Sequence, residues 1–152
     1  VRDIVRPNAI AGAQDAGRDP KSVAFPTAAT VSVNQNRDLA RDASRKSICK
    51  LYHPIPHPYY DSQLRQLGFE EFADQASRLM PTGNLKEAMA LVPEEVIDTM
   101  TITGTIEECE KRIQEYQGVS DELILARTGQ QGDTGTLADY KDLFYLIDQA
   151  TD

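Results

Sequence analysis

The sequence has no tryptophan, two cysteines and two histidines among its 152 residues, and it contains no long apolar run. A membrane span needs about 20 consecutive apolar residues, so no transmembrane helix is expected. The first ten residues, VRDIVRPNAI, lack the apolar core and small-residue cleavage site of a secretory signal peptide. We therefore expect a cytoplasmic protein.

Basic residues are also scarce. The chain has 16 Lys and Arg against 24 Asp and Glu, which gives a net charge of −8. A field of that sign repels phosphate backbones and anionic lipid surfaces, so nucleic acid and membranes are disfavoured as partners.

The few cysteines and histidines do not form a recognisable chemical site. Cys49 and Cys109 lie far apart in stretches of helical periodicity, so we expect small buried thiols in a reducing compartment, with one disulfide as the alternative. His53 and His57 are four apart, but the prolines between them prevent the helix that would bring both onto one metal ion. No metal site is predicted.

Hydrophobic periodicity predicts three strands, each followed by helix, at 23–33, 101–103 and 121–126. Pro26 should lie near the start of its strand or on an open edge, because it cannot donate to a ladder. A first helix is predicted over 1–17. The last helix is predicted to turn its apolar residues inward, namely Leu137, Tyr140, Leu143, Phe144 and Ile147.

Between positions 34 and 98 no strand pattern occurs, and 53–98 is predicted to be a helical insertion. The length of the chain suits one domain, covering 1–152, better than two.

The stretch TITGTIEEC, residues 101–109, combines a short strand, a turn at Gly104 and the start of a helix. Thr105 and Glu108 have the spacing of a capping box, in which each side chain satisfies the other's backbone N–H. The alternative is an anion site at the helix N-terminus. Glu107 and Glu108 already supply negative charge to that turn, so we favour the cap. The whole of 101–126 is predicted to form a parallel, right-handed βαβ unit.

Three parallel strands leave both sheet edges and much of one face unprotected. The chain is therefore expected to be part of something larger, or to self-associate. In the second case the open edges of strands 23–33 and 121–126 would be buried against a second copy.

Several segments, in their order and spacing, resemble the bacterial luciferase-like family of flavin- and deazaflavin-dependent oxidoreductases. They are GRDP at 17–20, the tyrosine-rich 52–60, QLGFEE at 66–71, VPEEVIDTMTITGTIEECEKRIQEY at 92–116, and DELIL with the glycine loop after it. The resemblance runs from Val1 to about Ile147. It implies an α/β fold, a partial (α/β)8 TIM barrel made of the last three strands with their helices and a helical insertion, completed or covered by oligomerisation.

The same resemblance implies oxidoreductase or monooxygenase chemistry on FMN or a deazaflavin coenzyme, held at the carboxyl ends of the strands. The positions that would face this cofactor or substrate are Asn34 and the predicted cofactor-binding residues Thr103, Gly104, Thr105, Arg127, Thr128 and Gly129. For Arg127 the alternative is an exposed loop arginine or a salt bridge.

Two departures from the family leave the choice of cofactor open. Ile106 stands where family members commonly have proline, and Gly132-Asp133 lacks the proline of the Gly-Pro-Asp loop in deazaflavin relatives. No catalytic residue is assigned. The alternative hypothesis is a cofactor-free partial barrel that self-associates and has no activity of its own.

Overall fold

The computed structural model describes residues 4–53 and 56–150. These ranges form an α/β fold with eight α-helices and three β-strands, as the alternation in the sequence predicts. In chain order they are α1 (Val5–Asp15), β1 (Pro26–Val33), α2 (Arg37–Lys50), α3 (Pro58–Gln66), α4 (Glu70–Leu79), α5 (Leu85–Leu91), α6 (Glu94–Met100), β2 (Thr101–Gly104), α7 (Ile106–Gln114), β3 (Glu122–Arg127) and α8 (Lys141–Ala150). None of these helices is long and apolar enough to cross a membrane.

The strands form one parallel sheet in the order β2-β1-β3. Positions 30–33 of β1 pair with β2, and positions 26–31 pair with β3. The nearly continuous apolar sequence of β1 suits this central position, where helices cover both faces of the carboxyl half of the strand. Pro26 is the first residue of β1, as predicted, so its missing N–H interrupts no ladder.

The central place of β1 corrects two expectations. Strand 23–33 does not offer an open edge, because β1 is paired on both sides; in the described chain the edge strands are β2 and β3. The predicted unit over 101–126 is parallel, but β1 lies between its two strands. Consecutive strands of a barrel would be neighbours, so this sheet has the order of an open, doubly wound sheet.

Helices pack on both faces of the sheet. On one face, Ser32 Oγ donates to the carbonyl of Ala40 at 2.8 Å, and the hydroxyls of Ser44 and Thr103 are 2.5 Å apart, so α2 lies close to β1 and β2. The opposite face carries an apolar cluster that joins the sheet to α7 and α8 and includes Val31, Ile102, Cys109, Ile113, Leu143 and Leu146. The crossover from β1 to β2 and the crossover from β2 to β3 run in opposite directions along the sheet. Right-handed crossovers of opposite direction place their helices on opposite faces of a sheet.

Helices α2 to α6 form a second apolar cluster around Tyr52, Leu64, Phe72 and Ile97. The described part of 53–98 is helical, as predicted; its status as an insertion stays a prediction. Arg41, with a side chain only 5% exposed, ties α2 to α6 through ion pairs with Glu94 and, at 3.0 Å, Asp98. Both cysteines are buried and free, so the alternative of a disulfide is wrong.

The two end helices are less buried than predicted. Leu137, Tyr140, Phe144 and Ile147 are between 40% and 77% exposed, whereas Leu143 and the unpredicted Leu146 are buried. On the predicted apolar face of the first helix, Ala13 is buried but Ile4 and Val5 are exposed, and Val1 lies outside the described residues. These helices carry more apolar surface than their neighbours in the described chain can cover.

Candidate functional site

The carboxyl ends of the three strands meet at one edge of the sheet. Asn34 follows β1, Thr105 follows β2 and Thr128 follows β3. In open α/β sheets, ligands bind outside the carboxyl ends at the point where the strand order reverses. The chain leaves β1 towards β2 and then returns to β3 on the other side, so this point lies between Asn34 and Thr128.

Gln130, which the sequence analysis did not identify, links the loop after β3 to the end of β1. Its side-chain oxygen accepts from Asn34 Nδ2 at 2.7 Å, and its Nε2 donates to the carbonyl of Val33 at 2.9 Å. The same Nε2 lies 3.3 Å from Ser32 Oγ. The Asn34 amide is therefore oriented by the protein and not available in full to a ligand.

Arg127 does not point freely into the site. Its guanidinium donates to both carboxylate oxygens of Asp133, at 2.8 and 2.7 Å, and it stacks on the ring of Tyr140 at 5.2 Å. The side chain is only 8% exposed. This pairing holds the pKa of Asp133 at about 2 and raises the pKa of Arg127. The geometry matches the salt-bridge alternative for Arg127.

The turn after β2 is built from groups that satisfy one another. The capping box of α7 is confirmed: Thr105 N–H donates to Glu108 Oε2 at 2.9 Å, and Glu108 N–H donates to Thr105 Oγ1 at 3.4 Å. Glu108 also pairs with Arg37 at 2.9 Å. The carbonyl of Gly104 accepts from Asn34 N–H at 3.1 Å. These contacts leave little room for an anion at this helix start.

Thr103 is likewise engaged in contacts inside the protein. Its hydroxyl is shared between Ser44 and Thr101, at 2.5 and 2.8 Å, on the face of the sheet that packs against α2. We infer that the Thr103 hydroxyl helps to hold α2 against the sheet.

Thr128 differs from its neighbours at the strand ends. The residue is only 8% exposed, its N–H donates to the carbonyl of Val31 at 2.8 Å, and its hydroxyl is buried with no hydrogen-bond partner in the described chain. A buried hydroxyl without a partner costs about 1–3 kcal/mol. Gly129, the next residue, is exposed. Together they offer an unused hydrogen-bonding group beside an open stretch of backbone.

A cavity of about 520 Å³ adjoins this loop, which is within the usual size of small-molecule sites. Its lining joins α2, α5 and the loop: Leu39, Asp42, Ala43, Lys46, Leu85, Lys86, Met89, Gly129 and Gln131. A larger cavity of about 620 Å³ lies between α7, β3 and α8, and residues 120–122 at the amino end of β3 are part of its lining. We place the candidate site at the smaller one, because it borders the carboxyl ends. Across 4–53 and 56–150, no three His, Cys, Asp or Glu side chains are grouped to hold a metal ion.

Comparison with known proteins identifies a family. The model of the luciferase-like monooxygenase family matches residues 3–122, which is most of the chain. The match ends where β3 begins.

Two relatives bear on the fold and on the family. Over 69 residues the chain is 28% identical to a Mycobacterium tuberculosis protein provisionally named as a coenzyme F420-dependent oxidoreductase; this covers 44% of the chain and 20% of that protein. The fold is similar to the coenzyme F420-dependent tetrahydromethanopterin reductase of Methanopyrus kandleri, with a TM-score of 0.66 and 21% identity over 82% of the chain. The matched region is 35% of that reductase, so the chain corresponds to about a third of its length.

Proposed function

The chain belongs to the family of luciferase-like monooxygenases, and we propose that it forms the carboxyl-terminal part of an oxidoreductase that uses a deazaflavin coenzyme. Two relatives whose names refer to coenzyme F420 support a deazaflavin over FMN. The substrate would be a small molecule, and the full site would need groups from outside this chain, since the chain spans only a fraction of either relative.

The unpaired hydroxyl of Thr128 is the observation that carries the proposal for this site. It is buried, it stands at the carboxyl end of a strand, and it lies beside the point where the strand order reverses. Buried polar groups in folded proteins almost always have a partner, so an unpaired one at this position suits a ligand that supplies it.

The residues present fit a bound coenzyme in part. Thr128 would hold a polar group of the coenzyme through its hydroxyl, and the exposed backbone of Gly129 would allow close approach beside it. Asn34, Gly104, Thr105 and Arg127 would act indirectly, because their polar groups already bind within the protein.

The coenzyme, when bound, would supply the redox chemistry, and the protein would supply binding and orientation. In this chain two sets of contacts anchor the loop after β3. Gln130 fixes it to β1, and Asp133 fixes it to Arg127, so Thr128 is held in place from both sides. A ligand at Thr128 would therefore meet a site that is already ordered.

Titration of the purified chain with a deazaflavin coenzyme and with FMN, each oxidised and reduced, tests the proposal through coenzyme fluorescence or absorbance. We expect saturable binding of the deazaflavin through the groups that this chain contributes, weaker than in a complete site. Thr128→Val should weaken it about tenfold, the loss of roughly one hydrogen bond. The same change should leave the thermal stability of the free chain equal or higher, because it removes an unpaired polar group.

Thr27→Val is the matched control, since Thr27 lies near the amino end of β1 and pairs with Leu123, away from the carboxyl ends of the strands. Its effect on binding should be negligible. Tighter binding of FMN would overturn the choice of coenzyme. If none of the four coenzyme forms binds, the cofactor-free alternative is favoured for this chain.

A further inference from the structure

The cavity beside the loop after β3 has two walls that helical spacing defines. On α2, Leu39, Ala43 and Lys46 follow one another at intervals of four and three residues, and on α5 Leu85 and Met89 are four apart. Residues at such intervals lie on one face of a helix. Each helix therefore contributes one continuous strip of side chains to the cavity lining.

The two strips are largely apolar. Leu39, Leu85 and Met89 are half-buried, and Ala43 is buried. Leu85 and Met89 also pack against the apolar cluster of helices α2 to α6, which holds this part of the lining in place. An apolar lining with a few polar groups at its margin is the usual form of a small-molecule site.

The charged side chains of the lining are mostly cationic. They are Lys46 on α2, Lys86 on α5 and one carboxylate, Asp42. Asp42 accepts a hydrogen bond from Arg45 Nη1 at 2.9 Å, so its charge is already paired. Within the part of the chain that the structure describes, neither lysine is paired with a carboxylate. Although the whole chain has a net charge of −8, the lining of this cavity carries unpaired positive charge.

We propose that this cavity binds an organic anion, an apolar body that ends in a carboxylate or a phosphate, with its charged end between Lys46 and Lys86. The methylene stem of a lysine can lie along apolar surface such as Leu39 or Met89 while its ammonium group stays hydrated. An apolar acid therefore matches both parts of the lining, whereas a cation is repelled. Only the role of this ligand rests on the proposed function: there the anion is the substrate, bound beside the coenzyme.

The position of the cavity favours a small ligand over a further segment of protein as its occupant. Gly129 and Gln131 place one side of it at the carboxyl end of β3, where parallel α/β folds bind their ligands. Segments from outside this chain can close the open side of the cavity. The lysines and the apolar strips belong to α2 and α5, so they remain part of its lining.

Three probes with the same six-carbon chain and different charges test the proposal. Hexanoate, 1-hexanol and hexylammonium are titrated into the purified chain at pH 7 and low salt, and binding is followed by the NMR shifts of backbone amides in α2 and α5. We expect hexanoate to bind about tenfold more tightly than 1-hexanol, and hexylammonium to bind least. High salt should remove most of this difference, because it screens the lysines. Equal affinity for the three probes would overturn the proposal.

Variants of the lining show which charges act. Lys46→Gln and Lys86→Gln should each weaken hexanoate binding about threefold, the usual effect of one exposed ion pair, and leave 1-hexanol binding unchanged. Lys50→Gln is the matched control, because Lys50 is an exposed lysine of α2 outside the described cavity lining. Asp42→Asn should act in the opposite direction and tighten hexanoate binding about twofold. An equal loss in Lys50→Gln, or no loss in either lining variant, would overturn the proposal.

A second titration decides whether the anion belongs to the substrate or to the coenzyme. A deazaflavin nucleoside and its 5′-phosphate differ by one anionic group. Tighter binding of the phosphate that is lost in the Lys46→Gln, Lys86→Gln double variant would overturn the assignment to the substrate. Simultaneous binding of hexanoate and the 5′-phosphate would support it. Hexanoate binding needs no coenzyme, so a chain that binds hexanoate and no deazaflavin contradicts the proposed function and leaves the anion site intact.

Discussion

Both carboxylate oxygens of Asp133 accept hydrogen bonds from the guanidinium of Arg127, at 2.8 and 2.7 Å. Asp133 Oδ2 also accepts the backbone N–H of Gln130 at 2.7 Å. One carboxylate thus fixes the end of β3 and the loop that carries Thr128 and Gln130. The side chain of Arg127 is only 8% exposed, so the loss of this partner would leave a charge in a poorly hydrated place.

Asp133→Asn should therefore lower the free energy of unfolding at pH 7 by about 1–3 kcal/mol, the usual range for hydrogen bonds to charged groups. The pKa of Asp133 falls from 3.8 to about 2 on folding. Its contribution is thus fully present above pH 4 and is lost as the pH falls towards 2. Urea unfolding at pH 7, 4, 3 and 2 checks this, and the difference between parent and variant should shrink across that window. Parallel pH profiles for the two proteins would contradict it.

Gly104 is at a position that other residues cannot occupy without strain. Its φ is +149°, and a Cβ atom there would lie 2.9 Å from Glu108 Cβ and 2.2 Å from Glu108 Oε2. Gly104→Ala should push Glu108 out of the capping box and destabilise the chain by roughly 1–3 kcal/mol. Gly12→Ala is the control of opposite sign: Gly12 is inside α1 with open space around it, so alanine should stabilise by about 0.5–1 kcal/mol. Denaturant melts of both variants measure the difference, and equal stability of parent and Gly104→Ala would contradict it.

Local features were predictable from the sequence. The capping box at Thr105 and Glu108 depends on four consecutive residues, and the position of Pro26 at the start of β1 depends on its missing N–H. Such patterns act within one turn or one strand end, so neighbouring residues determine them.

Features that depend on distant residues were not predictable. The order β2-β1-β3 results from how the whole chain packs, and no local pattern shows that β3 pairs with β1 and not with β2. Gln130 was missed because its partners, Ser32, Val33 and Asn34, are almost a hundred residues away in sequence. The apolar spacing of α8 identifies a helix, but periodicity does not say how much of that helix finds a partner; here Phe144 stays about half exposed.

The two cysteines provide a test of how well the folded chain excludes solvent. Cys49 in α2 and Cys109 in α7 are fully buried, and burial raises the pKa of each thiol to about 12. The thiolate is the reactive form, so neither thiol should react with a disulfide reagent at pH 8 until the chain unfolds, when both should react. Absorbance of the released chromophore counts the thiols with and without urea. Ile124→Cys supplies the control, because Ile124 is half exposed and a thiol there should react at once in the folded chain. Rapid reaction of one thiol in the unmodified native chain would show that α2 or α7 opens readily, and would contradict the packing described for that helix.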